Sequence, residues 1–450
     1  MPGHKGRGPL GCEELDITEI AGADELYEAE GIIAQSEANA TQLFGTARTY
    51  YSTEGSSQCI RAMLHLALQM RPAKAGRPVL LAARNAHKAL LYAAALLDFD
   101  IQWLWPAPDA AGALCTCPVE PEALSSALDE LAAEGRTPFG VYLTSPDYLG
   151  FVQDVAGLSA VCHAHGLPLL VDNAHGAYLH FLKEGSCHPI QLGADLCCDS
   201  AHKTLPVLTG GAYLHLGSSV QADEAAVRNA LALFGSTSPS YLILQSLDAA
   251  NAVLADSFRE KLDICRWRLG MLCRELDALR PGLALPLTGA HREPLKLTLD
   301  AAALGLSGQQ LAQALRERGV ECEYADPRYV VLMPSAESSA AEFACLQTAL
   351  HAICDEAPAA DVSVAADDPA AFAALAGTLD AQPRRFTIRE AVLAPQEMIP
   401  AAEAVGRICA APAVSCPPAI PIVVSSETVP PEALPLFARY GIEKAAVVKE

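Results

Sequence analysis

The chain has 450 residues, 51% of them hydrophobic, and a formal net charge of -22. That length accommodates one large globular domain and smaller ones, and the apolar content excludes general disorder. The acidic balance argues against general nucleic-acid binding, which needs basic surface; it attracts cationic small molecules, although solubility is the simpler account of it. No uninterrupted apolar run is long enough to span a membrane, and the start Met1-Pro-Gly-His-Lys-Gly-Arg lacks the apolar core of a secretory signal. The 15 cysteines are odd in number and come without an export signal, so reduced thiols in a cytoplasmic protein are expected. Neither Cys115 and Cys117 nor Cys197-Cys198 has zinc-site spacing, and no metal is expected.

In chain order, Ile60, Met63, Leu64 and Ala67 recur at helical spacing. Pro78-Val-Leu-Leu-Ala-Ala is a short apolar run ending at Arg84-Asn-Ala-His. Phe139-Gly-Val-Tyr-Leu ends at Thr144-Ser-Pro, and Leu167-Pro-Leu-Leu-Val ends at Asp172-Asn-Ala-His. Ala212-Tyr-Leu-His-Leu is a further strand. Continuous apolar strands alternating with helices predict a buried, mostly parallel α/β sheet, with sites at the polar strand ends. A long helical region follows over roughly 238–280. Leu295-Lys-Leu-Thr-Leu then reads as a strand, Ser307 to Arg318 as a helix and Tyr329-Val-Val-Leu-Met as a strand. A last segment begins near Pro369 and contains Cys416-Pro-Pro-Ala-Ile-Pro. The expected division is a large domain over 1–290, a small α/β domain over 291–365 and a C-terminal domain over 366–450.

Ser200-Ala-His202-Lys203-Thr204 is the strongest chemical cluster. A lysine amine forms an imine with an aldehyde cofactor, and hydroxyl and imidazole neighbours hold phosphate or move protons. Alone it also fits a solvated basic loop. Asp172, 31 positions earlier, directly follows an apolar strand, where a carboxylate can keep a pyridine nitrogen protonated. It is equally of the type that caps a helix. Gly55-Ser56-Ser57 precedes a helix expected to begin near Gln58 and suits either a phosphate or ordinary capping. His87, after another strand end, can stack on a ring or serve the structure.

Pro2-Gly-His-Lys-Gly, Arg84-Asn-Ala-His-Lys, Thr144-Ser-Pro-Asp-Tyr, Val171-Asp-Asn-Ala-His-Gly-Ala and Ser200-Ala-His-Lys-Thr-Leu-Pro resemble, in order, the motifs of the Orn/Lys/Arg decarboxylase family. Pro294-Leu-Lys-Leu-Thr, Ala303-Leu-Gly-Leu-Ser-Gly, Gly406-Arg-Ile and Cys416-Pro-Pro-Ala-Ile-Pro extend the likeness over nearly the whole chain, in the family's short form. The resemblance implies an aspartate-aminotransferase-like α/β fold and pyridoxal 5′-phosphate (PLP) as cofactor. Lys203 would be the Schiff-base lysine and Asp172 the partner of the pyridine nitrogen. His87 would stack on the ring and His175 lie near its hydroxyl. Ser56, Ser200 and His202 would contact the phosphate, with Gly55 and Ser57 lining it; His202 or Lys203 would return a proton to the substrate.

The implied reaction is decarboxylation of a basic amino acid in a homodimer, feeding polyamine synthesis. Arginine comes first because short-form relatives often act on it, then lysine and ornithine. Glu427 is a candidate for meeting a guanidinium in bidentate fashion, or else a surface residue; Asp326 and His4 are further substrate candidates. The chain departs from the family at Glu54, where Asn is common, at Cys59, where Gly is common, and at Asn173, where Glu is common. It also begins directly at the first motif, which suggests a shortened N-terminus. Another PLP enzyme of this fold (aminotransferase, aldolase or desulfurase) and a catalytically silent regulatory paralogue are the rival readings.

Overall fold

Apolar runs that are buried on both faces need helices on both sides, and the computed structural model has that architecture. It describes residues 2–72, 76–107, 116–287, 289, 291–357, 369–415 and 421–449. Strands β1 (Arg48–Ser52), β2 (Val79–Ala83), β3 (Asp100–Leu104), β4 (Val141–Thr144), β5 (Leu169–Asp172), β6 (Leu196–Asp199) and β7 (Ala212–Leu216) form one sheet in the order β1-β7-β6-β5-β4-β2-β3. From β6 to β3 the pairings are parallel; β7 runs antiparallel to both β6 and β1.

Successive strand residues face opposite sides. Leu80, Ala82, Tyr142, Leu170 and Cys198 pack on one face, against the helices Ser56–Met70 and Lys88–Leu97. Leu81, Val141, Leu143, Leu169, Val171 and Cys197 pack on the other, against Pro121–Ala133 and Val155–Ala164. The expected strands and the helix carrying Ile60 are therefore present, the helix starting at Ser56 instead of near Gln58. Register brings Thr144 opposite Asp172 and Asp172 opposite Cys198, so three parallel strands end side by side.

The expected long helical region is two helices, Tyr241–Asp256 and Phe258–Leu279, meeting at Ser257. Beyond them, β8 (Leu297–Asp300), β9 (Tyr324–Ala325) and β10 (Tyr329–Leu332) form an antiparallel sheet ordered β8-β10-β9, with helices Gly308–Arg316 and Ala340–Glu356. Ser307 caps the first of these with a reciprocal Ser307–Gln310 capping box, which explains why the helix starts there. Near the C-terminus β11 (Gln396–Pro400) pairs with β14 (Lys444–Val448), and β12 (Ala413–Ser415) with β13 (Pro421–Val424). Of the Cys416-Pro-Pro-Ala-Ile-Pro stretch all but Pro421 lies outside the described residues, as does Cys115. Among the described residues no helix is long and apolar enough to cross a membrane.

Candidate active site

The aligned ends of β2, β4, β5 and β6 open into one cleft lined by Ser56, Asn85, His87, Thr144, Tyr148, Asp172, His175 and Lys203, among others. Lys203 lies on the one-turn helix Ala201–Thr204 that follows β6. Its Nζ is 2.9 Å from His175 Nε2 and 5.9 Å from the centre of the Tyr148 ring. Burial lowers the Lys203 pKa below the ordinary lysine range, opposed by the negative charges of Asp172 and Glu323. His175 is buried, and burial together with the charges of Lys296 and Lys203 holds its pKa well below the usual imidazole value. The ring is thus neutral, and its Nε2 accepts from the lysine. The Tyr148 ring meets it edge-on at 4.7 Å.

Asp172 ends β5 without opening a helix. Its Oδ1 accepts from the Ala174 N–H at 3.1 Å, an Asx-type turn, and lies 3.6 Å from Cys198 Sγ. Its Oδ2 accepts from the Tyr142 hydroxyl at 3.1 Å. His87 caps the helix Lys88–Leu97, its Nδ1 accepting from the Ala89 N–H at 3.2 Å, while the ring keeps an exposed edge toward the cleft. Burial lowers the His87 pKa, with Asp172 opposing and Lys203 reinforcing.

The start of the helix Ser56–Met70 meets the segment before Lys203: Ser200 Oγ donates to Ser56 Oγ at 2.8 Å. Gly55 sits at φ +71°, and its N–H donates to the Gly210 carbonyl at 2.8 Å. At Gly210, φ +98°, a Cβ would lie 2.9 Å from the Thr53 carbonyl, so a side chain there would push this loop away from the helix start. Ser57 and His202 are half-buried; the His202 pKa is lowered by burial and then by Lys203. Glu54 is exposed, and Cys59 is fully buried, its thiol pushed up to about 12 by burial. Asn173 donates from Nδ2 to Asp199 Oδ1 at 2.7 Å, a partner against which a glutamate would set two carboxylates together.

The three substrate candidates are not brought into the cleft. The Glu427 carboxylate is occupied by Arg84, in a bidentate pair at 2.8 and 2.9 Å, and also accepts from the Val424 N–H at 2.8 Å. Arg84 is itself fully buried and stacks 4.8 Å from the Trp103 ring and 4.5 Å from the Trp105 ring. The guanidinium that Glu427 meets is therefore the protein's own. Asp326 is buried and closes a turn, accepting from the Arg328 and Tyr329 N–H groups and the Tyr324 hydroxyl. His4 faces Asp16 at 3.2 Å.

Sequence reasoning passed over several residues of this region. Asn85 and Tyr148 lay inside motifs already singled out, so position in the motif was the available signal. Lys296, in Pro294-Leu-Lys-Leu-Thr, is buried with Nζ 5.7 Å from the Tyr148 ring and donating to the Asp147 carbonyl. Glu323 is exposed, and its charge raises the pKa of both Lys203 and Lys296; nothing local in its sequence marks it.

A mostly parallel sheet with an aspartate at the end of one strand and a lysine on the turn after the next is the aspartate-aminotransferase-like fold of PLP-dependent enzymes. The constitutive lysine decarboxylase of Escherichia coli has this fold: its structure covers the whole of this chain and 79% of its own, with a TM-score of 0.75 at 19% identity. Residues 12–265 match the family model described as Orn/Lys/Arg decarboxylase, major domain, and the chain belongs to that family. It is 33% identical to the uncharacterized protein YaaO of Bacillus subtilis over 71% of this chain and 65% of that one. It is 27% identical to the arginine decarboxylase of Bacillus subtilis over 96% of this chain and 88% of that one.

Proposed function

We propose that this chain is a PLP-dependent decarboxylase of a basic amino acid, arginine first, giving CO2 and the corresponding amine. The observation that carries the reading is Lys203, on the turn after β6, held against neutral His175 beside Asp172 at the end of the adjacent strand β5. Unpartnered polar atoms around the cleft fit a polar ring compound. They are Asn85 Oδ1 and Nδ2 and His175 Nδ1, with Thr53 Oγ1 and Thr204 Oγ1 nearby in sequence to the serine cluster and Lys203. Lys203 would hold the cofactor aldehyde, Asp172 the pyridine nitrogen, His87 the ring face and His175 the ring-hydroxyl side. Ser56, Ser200 and His202, with Gly55 and Ser57, would hold the phosphate.

When bound, PLP supplies an acceptor for the electron pair left as the Cα–carboxylate bond breaks. Lys203 would meet the cofactor aldehyde as a free amine, which its lowered pKa favours, with His175 accepting the hydrogen bond of its N–H. Asp172, oriented by donors on both its oxygens, would face the pyridine nitrogen and hold a proton there. After CO2 departs, Lys203 Nζ or His202 delivers a proton to Cα. Glu323, exposed and electrostatically coupled to both lysines, favours a substrate with a cationic tail. The arginine decarboxylase likeness over nearly the full chain supports arginine above lysine and ornithine. We extend the proposal to a homodimer, to be checked by light scattering, with polyamine synthesis as the use of the product.

The test is to incubate the PLP-loaded protein separately with arginine, lysine and ornithine and to measure CO2 and amine. Agmatine, cadaverine or putrescine names the substrate. Keto acid without CO2 overturns the decarboxylase reading, and no product with any of the three favours a silent protein.

A further inference from the structure

Directly behind the cleft, four buried side chains converge on one carboxylate. Asp199 ends β6, four residues before Lys203, and is fully buried. Its Oδ2 lies 3.0 Å from His188 Nε2 and 3.1 Å from His215 Nε2. Its Oδ1 accepts from Asn173 Nδ2 at 2.7 Å and lies 3.7 Å from Cys197 Sγ. His188 Nδ1 accepts from the Ile190 N–H at 3.4 Å, so the proton of that ring sits on Nε2 and points at Asp199. His215 Nδ1 faces Thr49 Oγ1 at 2.8 Å, and a hydroxyl donating there leaves the second Nε2 proton for the same oxygen.

A lone buried carboxylate would be strongly disfavoured; here donors meet both oxygens. Burial pushes the Asp199 carboxyl up, but His188 and His215 outweigh it and hold the group below the usual carboxylate range. The three nearest ligand atoms of His188, Asp199 and His215 would also suit a metal ion. Metal binding at both Nε2 atoms, however, would move the His188 proton to Nδ1, against the Ile190 N–H. The hydrogen-bonded arrangement needs no such conflict.

What the knot joins gives it a role. Asn173 is the residue after Asp172, and its own N–H donates to the Cys198 carbonyl at 2.9 Å. Asp199 begins the turn that ends at Lys203. One carboxylate thus clamps the two chain segments that carry the cleft's acid and amine, from the side away from the cleft. We propose that Asp199 is a positioning residue that fixes Lys203 relative to Asp172 through Asn173, with His188 and His215 holding it in place. This deepens the proposed function and rests on it.

The experiment is a charge swap. Asn173→Asp sets a carboxylate against Asp199, and Asn173→Asp with Asp199→Asn restores a donor–acceptor pair. For each protein the PLP dissociation constant is read from absorbance titration, and the Lys203 pKa of the cofactor-free protein from the pH dependence of its amine labelling. The single variant is expected to bind PLP about tenfold or more weakly and to shift the Lys203 labelling profile; the double variant should return to within about threefold of the parent. Thr49→Val, which only removes the hydroxyl behind His215, should move both readouts the same way by less, and serves if Asn173→Asp does not fold. Unchanged labelling and affinity in a folded variant, a double variant no better than the single one, or one equivalent of zinc in the purified parent would each overturn the proposal. A parent that takes up no PLP would defeat the proposed function instead, leaving the labelling profiles to judge the knot.

Discussion

Lys203 Nζ and His175 Nε2 stand 2.9 Å apart, with the Tyr148 ring against both residues. The contact joins a lysine whose pKa burial lowers to an imidazole that stays neutral. His175→Phe keeps an aromatic ring but removes the acceptor. Turnover is expected to fall about tenfold to a hundredfold while PLP is still taken up. Borohydride treatment followed by peptide mapping should place the label on Lys203 in the parent and nowhere in Lys203→Ala. A label on Lys88 would refute the assignment.

Asp172 and Tyr142 make a graded pair of tests. Asp172→Asn should keep bound PLP but lose roughly a hundredfold or more in turnover, because the pyridine nitrogen loses its anionic partner. It should also lower the Lys203 pKa further, since Asp172 is the leading charge holding that proton on. Tyr142→Phe removes only one donor to Oδ2 and should cost a few-fold to about tenfold. Steady-state kinetics and absorbance spectra on the same preparations decide between these outcomes; equal losses in both variants would contradict the ranking.

Arg84→Met should destabilise the protein by about 3–5 kcal/mol in urea unfolding, because Glu427 would remain buried without its cation. Arg84→Met combined with Glu427→Leu should be markedly less damaging than the sum of the single changes, since no uncompensated charge is left. Additive losses would show that the pair acts through packing against Trp103 and Trp105 alone.

Asp147 gives a pH dependence with a definite sign. Burial pushes its carboxyl up to about 6 from the usual 3.8, with Lys296 opposing. The folded protein therefore holds that proton more tightly than the unfolded chain. This contribution is fully present below pH 3.8 and is lost as the pH rises to about 6, amounting to about 3 kcal/mol at 1.36 kcal/mol per unit. Subtracting the stability of Asp147→Asn from that of the parent at each pH isolates it. A difference that stays flat between pH 4 and 7 would refute the assignment.

Three of the strands that deliver the cleft were legible because β2, β4 and β5 are apolar runs ending in polar residues. β3 was not: Asp100 and Gln102 alternate with Ile101 and Trp103, as suits an edge strand, and weaken the apolar signal. The run Leu196-Cys-Cys-Asp of β6 lacks the β-branched residues that mark strands, so the strand leading to Lys203 is not announced by its own sequence. Lys203, Asp172, His175, His87 and Ser56 emerged from motifs because each sits at or just beyond an element end, where local sequence and position coincide. Glu427 misled because a carboxylate in a C-terminal segment gives no sign of its partner. Glu323 escaped for the complementary reason, reaching the lysines across a different sheet.

Arg84 and Glu427 are separated by 343 positions in the chain. At a translation rate of about 5–20 residues per second, the arginine waits roughly 20–70 s after its own synthesis for its carboxylate. During that interval the residue just after β2 carries a guanidinium destined for the interior, with Trp103 and Trp105 to accompany it. Completion of this buried pair is thereby tied to arrival of the segment that carries Glu427. Chains released before Glu427 would retain an unneutralised cation just beyond the end of β2, a built-in mark by which unfinished copies differ from finished ones.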